Sequence, residues 1–137
     1  FAVLGTGIGM TETLSNDMVL AAVPASKAGA ASAISETAYE VGSVLGVAVL
    51  GTILNTAYTS RLLVPGSLTD TQAQLAGETL GGAHHVAASL QPADAQALLD
   101  SAALAFDHGV VLTSGIAAVL SLVAAAVVFR VIKPAFR

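Results

Sequence analysis

Two glutamates beside a long apolar stretch are the residues of this chain best suited to chemistry. Glu36 and Glu40 are four residues apart, so on a helix they share one face, which Ser43 continues. With a helix start near Ser26, Glu36 lies roughly 15 Å along the axis. An ionised carboxylate inside a membrane needs a partner, a water-filled cavity or a proton. Desolvation and a like-charged neighbour favour the neutral form, so the pair predicts a group that takes up and releases a proton. The alternative is that both glutamates lie at headgroup level and only cap the helix bundle.

A second pair of carboxylates lies nearer the start of the chain. Glu12 and Asp17 are five residues apart, which separates them by about 140° around a helix. They cannot share a narrow face, and we predict that each, like Ser43, borders a polar cavity. Alternatively, Asp17 caps a half-helix that begins at Met18.

The elements that position these residues are recognised by their lack of charge. Residues 41–60 and 109–129 contain no Asp, Glu, Lys or Arg. At about 1.5 Å per residue, each stretch is long enough to cross a bilayer core of about 30 Å. The chain is 10% charged and 55% hydrophobic, with a mean hydropathy of +0.80, whereas soluble domains are about 25% charged. The sequence therefore predicts an all-α membrane protein.

The pattern divides the chain into three membrane helices and one long loop. We predict membrane helices over residues 1–23, 27–58 and 106–132, a loop over 59–105 and a tail over 133–137. Pro24 ends the first helix, whose polar middle also allows a broken helix. In the loop, apolar residues at helical spacing predict short amphipathic helices, with breaks at Gly81–Gly82 and Gln91–Pro92. We expect the chain to be the C-terminal part of a longer polytopic protein.

Three glycines punctuate the second predicted helix. Gly42 and Gly46 have the small-residue spacing that lets two membrane helices approach closely, and Gly51 follows them. We predict that all three serve helix packing. The alternative is that they reflect only the general frequency of glycine in membrane helices.

Other motifs argue against enzymes, metal proteins and nucleic-acid binders. The glycine run at residues 5–9 lacks the third glycine and the strand of a dinucleotide fingerprint. His84 and His85 are adjacent, so they point apart on a helix and predict no metal site. The chain has no cysteine and only five basic residues, without a basic patch. We expect no cofactor, no metal, no nucleic acid and no catalytic centre.

The basic residues predict the orientation in the membrane. Lys27 lies between the first two helices, and Arg130, Lys133 and Arg137 lie at or after the end of the last one. Two crossings separate these places, so both lie on one side, and the positive-inside rule makes that side the cytoplasm. The acidic loop is then extracytoplasmic.

Segments of the sequence also resemble a known family. Residues 23–29 (VPASKAG), 33–42 (AISETAYEVG) and 46–51 (GVAVLG), continued by 103–106 (ALAF), are similar to the end of a major facilitator transporter. The most similar branch is the fourteen-helix drug–proton antiporters, in particular the QacA-like multidrug exporters. The resemblance implies helices twelve to fourteen of fourteen, with the long loop outside the cell between the last two. In this branch, acids corresponding to Glu36 and Glu40 are implicated in binding cationic drugs or coupling protons.

The resemblance implies a function for the chain. We expect proton-coupled efflux of lipophilic, cationic drugs across a bacterial inner membrane by alternating access, with lipid, protons, drugs and the remaining helices of the same transporter as partners. One alternative is a major facilitator exporter of a specific metabolite or a self-made antibiotic. Another is a small helical membrane scaffold protein that binds a partner through the face of Gly42 and Gly46.

Overall fold

The computed structural model describes residues 1–132, and within them the fold is entirely helical. The α-helices are α1 (Ala2–Ala21), α2 (Ala28–Arg61), α3 (Asp70–Glu78), α4 (Leu80–Ala87) and α5 (Pro92–Ile132). A short 3₁₀ turn, Ala25–Lys27, precedes α2. Helix accounts for 87% of the structure, so the predicted all-α class is confirmed. The predicted cytoplasmic tail, which contains Lys133 and Arg137, lies outside the described residues.

Two of the helices are suited to crossing a membrane. The segments Ala25–Arg61 and Pro92–Val131 are both long and apolar enough to do so. Helix α1 has 20 residues, about the length of a bilayer crossing. The polar residues in its middle make it less apolar than the two helices above, and it is not one of those suited to cross a membrane. Its role as a membrane helix therefore stays a prediction.

The chain divides into two compact units, Phe1–Ala48 and Val49–Arg137. In the first unit, α1 runs unbroken through Asp17 to Ala21, so the alternative of a helix broken before Met18 is wrong. Pro24 has an extended backbone, with φ −61° and ψ 150°, and it has no N–H with which to continue the helical hydrogen bonds of α1. The turn with Lys27 follows directly.

The second unit contains a small folded core built from the loop and the neighbouring ends of α2 and α5. Its fully enclosed members are mostly alanines, which let the helices approach closely, with one leucine, one valine and one tyrosine among them. The buried residues of this core are Tyr58, Ala76, Ala83, Val86, Ala87, Leu98, Ala102 and Ala105. The long loop is therefore a packed structure with its own apolar centre.

Two threonines begin the short helices of the loop. The Thr69 hydroxyl accepts a hydrogen bond from the Gln72 N–H at 3.3 Å, and the Gln72 side chain accepts one from the Thr69 N–H at 3.0 Å. This reciprocal arrangement is a capping box, which satisfies free N–H groups at the start of α3. The Thr79 hydroxyl accepts from the Gly82 N–H at 2.9 Å at the start of α4.

The predicted break at Gly81–Gly82 is wrong, because the two short helices are separated at Thr79. Thr79 has an extended backbone, with φ −155° and ψ 158°, and both glycines lie inside α4. Gly82 is needed for space: a Cβ there would collide with the backbone carbonyl of Leu75. The chain breaks where a capping side chain is available, and the glycine permits the close approach of the two helices.

The third predicted membrane helix also begins earlier than expected. We expected a short loop helix and then a separate membrane helix from about Phe106, but α5 is continuous from Pro92. Proline suits the first turn of a helix, where its missing N–H costs nothing. Leu98, Ala102 and Ala105 lie buried in the loop core. The first part of α5 therefore belongs to the folded loop, and its second part is the apolar stretch.

Candidate functional site

The structure places the two candidate glutamates on one face of a continuous helix. Glu36 and Glu40 lie one turn apart within α2, and Ser43 continues their face. All three side chains are exposed. Because α2 begins at Ala28, Glu36 lies about 12 Å from the helix start. The arrangement offers two carboxylates side by side, which can bind a proton or an organic cation.

The neighbouring threonine does not compete for the same ligand. The Thr37 hydroxyl donates to the Ala33 carbonyl at 2.8 Å, which satisfies it within its own helix turn. Such bonds allow threonine to lie in a membrane helix without another polar partner. On this stretch of α2, Glu36 and Glu40 are thus the groups able to carry charge.

The acids of α1 lie on different faces of their helix. Glu12 and Asp17 are both exposed, and both lie within the continuous helix. The hydroxyls of Thr11 and Thr13 donate to the carbonyls of Gly7 and Gly9, each at 2.8 Å. These bonds satisfy the hydroxyls of two polar residues in the middle of α1, so those hydroxyls do not compete with the carboxylates for a ligand.

The structure brings together some of the predicted site residues and leaves others apart. Within the described residues, the extensive helix contacts join α3 to α4 and α4 to α5. Glu36, Glu40 and Ser43 share one face of α2, and α1 makes no contact of that extent with α2. A role for Glu12, Asp17 and Ser43 in lining a cavity stays a prediction, as does cation binding by the glutamates.

The predicted packing glycines lie in open space. A Cβ added at Gly42, Gly46 or Gly51 would meet nothing within 4 Å. Along the part of the chain that is described, these glycines therefore face no neighbouring helix. Their packing role stays a prediction that requires further helices.

Close packing occurs instead at a glycine that the sequence reasoning missed. A Cβ added at Gly109 would lie 2.7 Å from Leu54 Cδ1, 3.2 Å from the Leu54 carbonyl oxygen and 3.6 Å from Ala57 Cβ. Gly109 thus seats α5 directly on α2. The available signal was the spacing of Ala105 and Gly109, which is the same small-residue spacing as that of Gly42 and Gly46.

Tyr58 is the second residue that the sequence reasoning missed. It is only 2% exposed, and its hydroxyl donates to the Ala76 carbonyl at 2.8 Å and to the Thr79 carbonyl at 3.3 Å. The bonds connect the end of α2 with the junction of α3 and α4. An aromatic side chain with a hydrogen-bonding tip suits this place, since its ring fills the core and its hydroxyl finds a partner.

The loop offers no constellation for metal chemistry. His84 and His85 are exposed neighbours on α4. Over residues 1–132, no three His, Cys, Asp or Glu side chains gather as a metal site would require. The glycine run at residues 5–9 lies in the interior of α1.

Comparison with known proteins identifies the relatives of this chain. It is 56% identical over 128 residues to the multidrug efflux pump LfrA of Mycolicibacterium smegmatis, which covers 93% of this chain and 25% of the pump. This chain is similar to a bacterial drug efflux pump. It is also 37% identical over 115 residues to the methyl viologen resistance protein SmvA of Salmonella typhimurium, covering 82% of this chain and 23% of that protein. The resemblance to major facilitator multidrug exporters is confirmed.

The similarity covers only part of each relative. The chain spans about a quarter of the length of the curated relatives that it matches. No protein-family profile matches it, and no solved structure does.

The relatives are transport and resistance proteins rather than enzymes, and they come from bacteria. Together with two helices suited to crossing a membrane, this similarity supports a bacterial inner-membrane protein.

Proposed function

We propose that this chain forms part of a proton-coupled exporter of lipophilic, cationic drugs. The observation that carries the proposal is the 56% identity to a multidrug efflux pump along 93% of the chain. At that level of identity we expect the matched segment to share the fold of the corresponding part of the pump. The remaining helices of the transporter would enclose the exposed faces of α1 and α2.

The two glutamates supply the chemistry of the proposed mechanism. Glu36 and Glu40 lie one turn apart on α2 and are both exposed. Methyl viologen, which gives one relative its name, is a dication, and two adjacent carboxylates match two positive charges. An ion pair is far stronger in a low-dielectric cavity than in water. Ionised glutamates therefore bind the drug, and protonated glutamates release it.

Competition between proton and drug for the same carboxylates would couple the two movements. The transporter would take up the cation while the cavity is open to the cytoplasm and the glutamates are ionised. After the cavity opens outward, protons replace the drug on the glutamates. Alternating exposure of a central site to the two sides is the general mechanism of such transporters.

The charges support an orientation for the proposed exporter. Lys27 is exposed in the turn before α2, and Arg130 lies in the last turn of α5. Placing both in the cytoplasm obeys the positive-inside rule and puts the folded loop outside. The carboxyl end of the chain then lies in the cytoplasm.

An efflux assay with the intact gene product tests the proposal. We expect expression in an efflux-deficient bacterium to speed the loss of preloaded ethidium and to raise resistance to methyl viologen. A protonophore should abolish the effect. Export of several unrelated cations distinguishes a multidrug exporter from a transporter of one metabolite or antibiotic. Unchanged accumulation of every cationic compound, with the protein present in the membrane, would contradict the proposal.

A further inference from the structure

Gly109 lies at a close approach between α2 and α5. Its missing side chain leaves room for Leu54, whose Cδ1 would lie 2.7 Å from a Cβ at position 109 and whose carbonyl oxygen would lie 3.2 Å away. The end of a leucine side chain can rotate away, whereas a backbone carbonyl moves only with its helix. A side chain at position 109 therefore displaces the Leu54 side chain and presses against the Leu54 carbonyl, which can yield only if the spacing of α2 and α5 changes slightly.

The surroundings of Gly109 show that this contact is specific to one level of the helix. Gly115, the other glycine of α5, has nothing within 4 Å of an added Cβ. Ala105, one turn before Gly109, is buried at 2% exposure. The Thr113 hydroxyl donates to the Gly109 carbonyl at 2.9 Å, so it is satisfied within α5 and does not reach toward α2.

Gly109 also lies where the folded loop meets the apolar stretch. From Gly109 to the end of α5 at Ile132 the helix is about 35 Å long, close to the thickness of a bilayer core. Before Gly109, α5 carries Ala102 and Ala105 in the loop core. The contact with Leu54 therefore lies at the boundary between the part of α5 in the loop core and the apolar part that follows.

We propose that Gly109 is a positioning residue for transport, which seats α5 on α2 at the loop-side edge of the membrane. The inference rests on the proposed function, since it assigns Gly109 a part in drug efflux. Leu54 belongs to α2, the helix whose sequence also includes Glu36 and Glu40. Gly109 itself has no group that could bind drug or proton, and it acts only through the spacing of the two helices.

Cross-linking tests the contact without any transport measurement. The Cβ separation of 3.6 Å between positions 57 and 109 lies in the range of a disulfide, which is about 3.5–4.5 Å. In the intact protein with a protease site inserted after Gly66, we expect Ala57→Cys with Gly109→Cys to keep the cleaved halves joined until a reductant is added. Ala57→Cys with Gly115→Cys serves as the control and should not join them. Failure of the first pair to cross-link would overturn the proposal.

Substitution at Gly109 tests the link to transport. We expect Gly109→Val to lower the maximal rate of ethidium efflux per molecule in the membrane by roughly tenfold, the effect of a moderate overpacking penalty. The apparent KM should stay within about twofold of the wild type, because binding groups are untouched. Gly115→Val, the matched control, should export normally. Normal efflux by Gly109→Val, or an equal loss in both variants, would overturn the proposal.

A compensating substitution covers the case in which Gly109→Val does not accumulate. Gly109→Ala should slow efflux less than Gly109→Val, because it adds a single methyl group. Adding Leu54→Ala should restore efflux in part, since it removes the Cδ1 atom at 2.7 Å but leaves the carbonyl oxygen at 3.2 Å. If efflux by Gly109→Ala is slow and the double variant is no faster, the proposal is wrong. It is also wrong if Gly109→Ala exports drug at the normal rate. Absence of efflux by the wild type would instead contradict the proposed function, while cross-linking would still report on the contact.

Discussion

The hydroxyl of Tyr58 donates a hydrogen bond to the carbonyl oxygen of Ala76 at 2.8 Å, which fastens the end of α2 to α3. Helix α3 ends at Glu78, so Ala76 is among its last four residues. The carbonyls of these residues receive no hydrogen bond from an N–H of the same helix. The tyrosine supplies the missing donor from another helix. The bond is enclosed, since Tyr58 is 2% exposed and Ala76 is fully buried.

Removal of that hydroxyl should destabilise the loop. We expect Tyr58→Phe to cost about 1–3 kcal/mol of stability, because a buried carbonyl loses its partner while the ring stays in place. The midpoint of thermal unfolding of the purified protein in detergent should fall. Tyr39→Phe is the control, because Tyr39 is 59% exposed and should have little effect. Equal midpoints for both variants would argue against the bond.

Two adjacent glycines of α4 should respond oppositely to alanine. Gly82→Ala places a Cβ against the Leu75 carbonyl and should cost about 1–3 kcal/mol through overpacking. Gly81→Ala has only the Thr79 hydroxyl oxygen nearby, at 3.8 Å, and should stabilise the protein by up to about 1 kcal/mol through helix propensity. Limited proteolysis of the loop and the unfolding midpoint measure both. A stable Gly82→Ala variant would contradict the packing described for α3 and α4.

The glutamates should separate cationic from neutral drugs. Glu36→Gln keeps the shape and the hydrogen bonding of the side chain but removes its charge, so efflux of monovalent and divalent cations should fall steeply while neutral substrates suffer less. Glu40→Gln should show a milder loss, with Glu36 available as a substitute acid. Glu78→Gln in the loop is the control. Transport of every cation at the normal rate in both single variants and the double variant would exclude the proposed role, and loss of protein from the membrane would favour a packing role.

The proposed orientation can be measured by labelling. This chain has no cysteine, so single cysteines report their own positions once any others in the intact protein are removed. Cysteines replacing Lys27 and Arg137 should resist an impermeant thiol reagent in whole cells, whereas one replacing Glu78 should react. All should react after the cells are opened. Labelling at position 27 from outside would reverse the orientation inferred from the charges.

Much of the fold follows from short-range features of the sequence. Residues 41–60 and 109–129 predict helices because a charge-free stretch of this length must satisfy its backbone internally in a membrane. Pro24 separates α1 from α2 because its ring fixes φ and removes a donor. The shared face of Glu36 and Glu40 needs only the helix period. These features act within a few residues, so they can be read without knowledge of the tertiary structure.

Only the tertiary structure decided how the loop is built. The contact of Gly109 with Leu54 joins residues far apart in the chain. Distant contacts also accompany the break at Thr79, whose carbonyl accepts from the Tyr58 hydroxyl, and the early start of α5, whose Leu98 and Ala102 lie in the loop core. Helical periodicity identifies an apolar face but does not say which surface will cover it, and a glycine in the sequence does not reveal whether it ends a helix or makes room for one. Gly82 makes room because the backbone carbonyl of Leu75 occupies the space that a Cβ would need, and Gly109 makes room because the side chain and the carbonyl of Leu54 lie close to that space.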